Sequence, residues 1–279
     1  MDGAPRLLVS ASRRTDIPAY FGQWFSRALD RGWVDVPNPW NRTVRRVSLR
    51  TEDLLGFVFW SRNPRPFLPV LDRVMASGLP VLFHVTLTAL PRDIEPHIPD
   101  RDWVIRGFRE LALRLPPSAL TWRFDPTLPL AGARGNVEIR ERFLSLAEDL
   151  EGIAGRMALS LLDPYKKIRK RMDHATGVDR EWGESGAREF SSWIGESPFS
   201  GRYYWCTEPA LESAVTPACL DRDILGALGI PSGLLSRAAT RPGCLCAGAV
   251  DIGAYDTCHG GCLYCYAVRS HEKLQPMPS

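Results

Sequence analysis

The feature that most restricts the fold of this chain is a repeating alternation in which a short apolar run ends on polar residues and a segment of helical spacing follows. Arg6–Ser10 reads as a buried strand running into Ser12, Arg13, Arg14, Thr15 and Asp16 before Pro18. Residues 19–31 then carry Tyr20, Trp24, Phe25 and Leu29 at helical spacing and stop at Gly32. Trp33–Val36 reads as a second strand, closed by residues 37–41, and residues 43–49 as an extended excursion. Leu55–Trp60 is a third strand that exposes Ser61, Arg62 and Asn63 at its end, with a helix from Pro66 to about Ser77 stopped by Gly78. The unit recurs as Pro80–Thr88 with a helix from about Asp100 to Leu115, and as Leu120–Pro126 with a helix over Val137–Leu150. Arg156–Leu161 follows. Farther on, a short helix over Arg188–Ile194 and strands at Arg202–Trp205 and Ala249–Ile252 are expected.

Strands alternating with helices of this length predict an α/β fold built on a parallel sheet. Seven or eight strands in 279 residues approach the count that closes a ring, so the expectation is a (βα) barrel, TIM-like or partial, with an open doubly wound sheet as the alternative. The expected division is a barrel core over residues 1–230 and a cysteine-rich segment, 231–279, that closes it.

Charge narrows the function classes. The net charge is only +3, far from that of a dedicated nucleic-acid binder, although Lys166–Arg171 is a local basic run. No apolar run is long enough to cross a bilayer, and residues 1–6 lack the apolar stretch of a signal peptide, so a cytoplasmic location is expected. In a reducing compartment, seven cysteines gathered toward one end point to metal ligation over a disulfide framework.

Five of those seven lie between positions 244 and 265. Cys258, Cys262 and Cys265 are spaced C-x3-C-x2-C, which lets one loop aim three thiolates at three irons of a cubane cluster and leaves the fourth iron open. Gly260 and Gly261 relieve bulk between the ligands and bring N–H groups toward the sulfurs. A zinc knuckle is the competing reading, but it wants four ligands, and His259 is adjacent to a ligand and badly placed to be the fourth. Cys206, Cys219, Cys244 and Cys246 remain, enough to ligate a second [4Fe-4S] cluster or one zinc; the bland alternative leaves Cys206 and Cys219 as ordinary buried thiols.

The cysteine run, with Leu263-Tyr264-Cys265-Tyr266-Ala267, resembles the cluster motif of the radical S-adenosylmethionine superfamily in its aromatic-flanked form, as in spore photoproduct lyase relatives. Over a greater length, Ser10–Pro18, Phe59–Pro64, Trp122–Pro126 and the cysteine run resemble an uncharacterised bacterial family, domain of unknown function 1848. The superfamily resemblance implies a [4Fe-4S] cluster, S-adenosylmethionine on the open iron, an electron donor such as flavodoxin or ferredoxin, and a small-molecule substrate. In that superfamily the loop follows the first strand, whereas here it lies near the C-terminal end and no Gly-Gly-Glu tripeptide occurs, which a circularly permuted barrel would accommodate.

In a parallel barrel the strand ends share one face, where Arg13, Arg14, Asp16, Asn38, Arg62, Asn63, Thr86, Thr88, Arg123, Asp125, Asp163, Lys166 and Glu208 would gather. From this set Arg13, Asp16, Asn63, Arg123 and Asp125 are the catalytic candidates. Tyr264, Thr86, Thr88, Asp163 and Glu208 are the candidates for holding the cofactor. Arginine forks suit a carboxylate or phosphate, so a polar or anionic substrate is expected. Any single Arg–Asp pair reads equally as a structural ion pair. A metal-stabilised nucleic-acid-binding or repair-associated protein, with Lys166–Arg171 on phosphates, is the alternative function.

Overall fold

The computed structural model describes residues 6–128, 135–162, 168, 171–172, 184–207, 218–231, 233 and 244–278. Seven parallel strands form the main sheet: β1 (Leu7–Ala11), β4 (Leu54–Ser61), β5 (Val81–Thr86), β6 (Leu120–Thr127), β7 (Arg156–Leu161), β8 (Arg202–Trp205) and β9 (Val250–Asp251). Between them run helices α1 (Ile17–Tyr20), α2 (Gly22–Arg31), α3 (Leu68–Ala76), α4 (Arg101–Ala112), α5 (Gly135–Leu150), α6 (Glu184–Glu196) and α7 (Arg222–Ala227).

The sheet order is β8-β7-β6-β5-β4-β1-β9. From β1 to β8 the strands add in one direction, and β9 then takes the free side of β1, as in a ring opened between β8 and β9. The α/β class and the parallel sheet are as expected. The two central halves of a doubly wound sheet, which grow outward in opposite directions from a switch point, are not the pattern here.

Alternation along each strand builds two apolar layers. Val9, Phe57, Phe59, Phe83, Val85, Trp122, Phe124, Met157 and Leu159 face the helices and pack with Phe25, Phe67, Leu71, Phe108, Phe143 and Phe190. The intervening residues Leu8, Val58, Trp60, Leu82, Ala158 and Tyr204 form a second cluster with Ile224 and Leu225 of α7 and with Cys219 and Cys246. Burial on both faces is why these strands read as nearly continuous apolar runs. On β5 and β6, however, the second face carries His84 and Thr121, both buried, and Arg123.

One strand departs from expectation. Trp33–Val36 does not join the parallel sheet: as β2 (Trp33–Pro37) it pairs antiparallel with β3 (Val44–Ser48), the segment read as an excursion. Only Val34 of β2 is fully buried, while the Arg46 guanidinium lies 3.6 Å from the Trp33 ring centroid and pairs with Asp35. The helix expected over 19–31 is divided at Phe21, whose φ of −128° and ψ of 27° lie outside the helical range, and the Asp16 carboxylate caps the start of the short α1 by accepting from Ala19 N–H. No described helix is long and apolar enough to cross a membrane.

Candidate functional site

The loop that follows β9 returns over the C-terminal ends of β1 and β4. It is fastened at its root by Asp251, which accepts from Ser10 Oγ at 3.1 Å, Ser12 Oγ at 2.7 Å, Arg13 N–H at 2.8 Å and Gly253 N–H at 3.0 Å. Beyond it, Cys258, Cys262 and Cys265 are brought near one another. A Cβ on Gly260 would stand 3.6 Å from the Cys258 sulfur and 3.7 Å from the Cys262 sulfur. Gly261 has φ +71°, and a Cβ there would lie 2.7 Å from His97 Cδ2. Only glycine satisfies both the torsion and the space.

Backbone N–H groups point at these sulfurs. Cys258 accepts from Gly260 and Asp16, and Cys265 from Ala267 and Val268. Burial nevertheless dominates and pushes all three thiols up, Cys258 to about 12. As free thiols they stay protonated at neutral pH, and a cation must displace the protons to bind.

A buried polar group braces the loop from below. Glu95 Oε1 accepts from Arg62 Nη1 at 2.6 Å, Thr88 Oγ1 at 2.8 Å and the Tyr264 hydroxyl. The Arg62 guanidinium also lies 5.3 Å from the Tyr264 ring centroid, and Arg62 N–H donates to Asp16 Oδ2 at 2.7 Å. Burial lifts Asp16 to about 6 against the bonds from Arg62 and Ala19 that favour its charged form. Glu95 carries this arrangement, yet it was not among the residues singled out from sequence; it sits in a loop between Ile94 and Pro96, where no periodicity marks it.

The other four cysteines meet on the second face of the sheet, drawn from three separate stretches of chain. Cys206 and Cys219 sulfurs are 3.9 Å apart, Cys219 N–H donates to Cys246 Sγ at 3.2 Å, and the Cys246 thiol contacts those of Cys219 and Cys244. Arg123 Nη1 donates to Cys219 Sγ at 3.4 Å. With the thiols of Cys206 and Cys246 bonded to it, Cys219 is the sulfur held toward thiolate. None of the seven cysteines is in a disulfide. Among the described residues no group of three or more His, Cys, Asp or Glu side chains stands arranged to hold a metal ion.

Trp60 walls this second region. His84 stacks on it with ring centroids 4.1 Å apart, and the guanidinium carbons of Arg13 and Arg123 lie 4.9 and 5.0 Å from its centroid. Arg123 pairs with Asp125, which also accepts from Ser160 Oγ. Arg13, Arg123 and Asp125 are therefore neighbours of the four-cysteine group, and Asp16, Thr88 and Tyr264 neighbours of the loop. Asn63 belongs to neither group: its Oδ1 accepts from Trp103 Nε1 at 3.0 Å on the helix side. Thr86 ends β5. Asp163, Glu208, Lys166, Lys167, Arg169 and Lys170 lie outside the described residues. Arg171, the last of the basic run, donates to Cys265 O and contacts His271. His259 packs against the rings of Tyr20 and Phe21.

Fold and site together define an α/β protein with a parallel sheet, a cysteine loop over the strand ends and a second thiol group on the sheet's far face. The chain belongs to the family described as Domain of unknown function (DUF1848), whose model matches residues 8–267. No curated protein and no solved structure matches it.

Proposed function

We propose that Cys258, Cys262 and Cys265 hold a [4Fe-4S] cluster with one open iron that takes S-adenosylmethionine, and that the protein is a radical enzyme. The observation that carries this reading is the donor set of the loop: three thiols on one side, with backbone N–H groups from Gly260, Asp16, Ala267 and Val268 aimed at two of their sulfurs. Such donors offset thiolate charge and tune the potential of a bound cluster. A cluster held by Cys258, Cys262 and Cys265 would supply the electron for reductive cleavage of the sulfonium bond of S-adenosylmethionine, and so the means of taking a hydrogen atom from a substrate.

The chain's own residues do the rest. Glu95 fixes Tyr264 and Arg62 beside the loop that carries the three cysteines. Arg62 places a buried positive charge near Cys262, which favours an anionic thiolate centre. The arginine-rich loops at the strand ends suit an anionic or polar small-molecule substrate. The one-directional strand order supports a barrel closed between β8 and β9. Thiol chemistry of this kind fits the reducing cytoplasm and a flavodoxin- or ferredoxin-type electron donor.

The test is anaerobic reconstitution with iron and sulfide. It should give about four irons per chain, an electron paramagnetic resonance signal that changes on adding S-adenosylmethionine, and reductant-dependent release of deoxyadenosine. Cys262→Ala should lose all three. An iron-free protein from strictly anaerobic preparation, or a signal indifferent to S-adenosylmethionine, overturns the reading.

A further inference from the structure

The second thiol group has no part in the radical chemistry proposed above, and its surroundings call for a ligand. His84 and Thr121 are completely buried and Tyr204 nearly so, yet among the described residues both ring nitrogens of His84, Thr121 Oγ1 and the Tyr204 hydroxyl have no hydrogen-bond partner. Arg13 Nη2 is likewise buried and unpartnered. Arg123 and Arg156 each have a carboxylate, Asp125 and Asp221. Unsatisfied buried polar atoms are uncommon in folded proteins, and a cluster of them around one spot marks something that accepts hydrogen bonds and carries negative charge. His84, Tyr204 and Arg123 all act electrostatically on Cys219, and Arg13 on Cys246, so these groups lie near the sulfurs.

We propose that Cys206, Cys219, Cys244 and Cys246 bind a single zinc ion, whose anionic tetrathiolate centre is countered by Arg123 and Arg13. The balance is Zn2+ plus four Cys–SH giving [Zn(S-Cys)4]2− and four protons; no electron changes hands. The sulfur spacing favours one ion over a cluster. Zinc–thiolate bonds of about 2.3 Å place tetrahedral sulfurs about 3.8 Å apart, and Cys206 and Cys219 sulfurs already stand 3.9 Å apart. Ligands on different irons of a cubane are spread more widely. The thiols touch in a row, 206 to 219 to 246 to 244, so loading requires side-chain rotation to bring Cys244 and Cys206 to the same ion. Arg123, donating to Cys219 Sγ at 3.4 Å, is placed as an outer-shell hydrogen-bond donor to a coordinated sulfur.

Metal analysis of the full-length protein, expressed with iron and zinc both supplied, separates this site from the loop. The expectation is about one zinc per chain that survives desalting, is retained in Cys262→Ala and is lost in Cys246→Ser, while Cys246→Ser keeps its iron. Absence of zinc, or zinc unchanged in Cys246→Ser, overturns the proposal. So does extra iron in place of zinc that disappears with Cys246, or a Cys206–Cys219 disulfide found by mass in protein prepared anaerobically. Should Cys246→Ser fail to fold, the wild-type chain decides: after metal stripping, cobalt(II) uptake must give thiolate-to-cobalt charge-transfer absorption that added zinc abolishes. Lack of that band overturns the assignment.

Discussion

The two cysteine groups differ in how their neighbourhoods are completed. Around the loop at 258–265 the buried carboxylates are answered, Glu95 receiving Arg62, Thr88 and Tyr264 and Asp16 receiving Arg62 and Ala19, while Arg171 Nε and His271 Nδ1 beside Cys265 have no hydrogen-bond partner among the described residues. Around the group on the far face of the sheet, His84, Thr121, Tyr204 and Arg13 keep unsatisfied atoms. The first group rests on a carboxylate brace within the protein, and the second is the one for which a ligand is proposed. A site whose brace is internal should be sensitive to mutation of the brace; one that waits for a ligand should not.

The largest effect expected from this contrast is at Glu95. Glu95→Gln leaves the Arg62 guanidinium buried beside a neutral amide, a change that costs roughly 3–5 kcal/mol when a buried pair loses one partner. Chemical denaturation should show the loss, and a change below about 1 kcal/mol would mean that the brace is not the support described.

Next comes Asp16, whose folded pKa of about 6 lies above the ordinary 3.8. Between those values the folded protein binds more protons than the unfolded chain, so this group favours folding fully below pH 3.8 and loses that contribution as pH rises through 6. The swing is about 2–3 kcal/mol. Asp16→Asn removes the ionisation, so the wild-type-minus-mutant difference in unfolding free energy should slope between pH 4 and 6 and flatten above. A difference independent of pH would break the assignment.

The smallest effect falls on the other side of the comparison. The Tyr204 hydroxyl has no hydrogen-bond partner among the described residues, so Tyr204→Phe in metal-stripped protein should change stability by no more than about 0.5 kcal/mol. A loss well beyond that would show that the interior is already satisfied and would erase the contrast.

Much of the sheet was legible because each parallel strand is buried on both faces and announces itself as an apolar run, with the polar residues of its outgoing loop immediately after. The β2–β3 hairpin was not. Trp33–Val36 has the same length and apolar content as a sheet strand, and pattern alone does not name a partner. The signal that could have separated it is Asp35, a charge in the middle of a strand that a parallel sheet would have buried. At the site, the loop cysteines were legible because all three and both glycines lie within eight residues, Cys258–Cys265. Cys206, Cys219, Cys244 and Cys246 could be counted but not joined from sequence, since only the sheet brings their three stretches together. Asn63 was expected at the site because it ends a strand, but its side chain turns to Trp103.

The anchoring of Asp251 to Ser10, Ser12 and Arg13 spans about 240 positions of chain, and Tyr266 reaches Arg13 O across 253. During synthesis the amino-terminal strand therefore waits, its edge unfilled, until the carboxyl-proximal loop has left the ribosome. A prematurely terminated product lacks the strand that fills that edge and, with it, the loop that carries Cys258, Cys262 and Cys265.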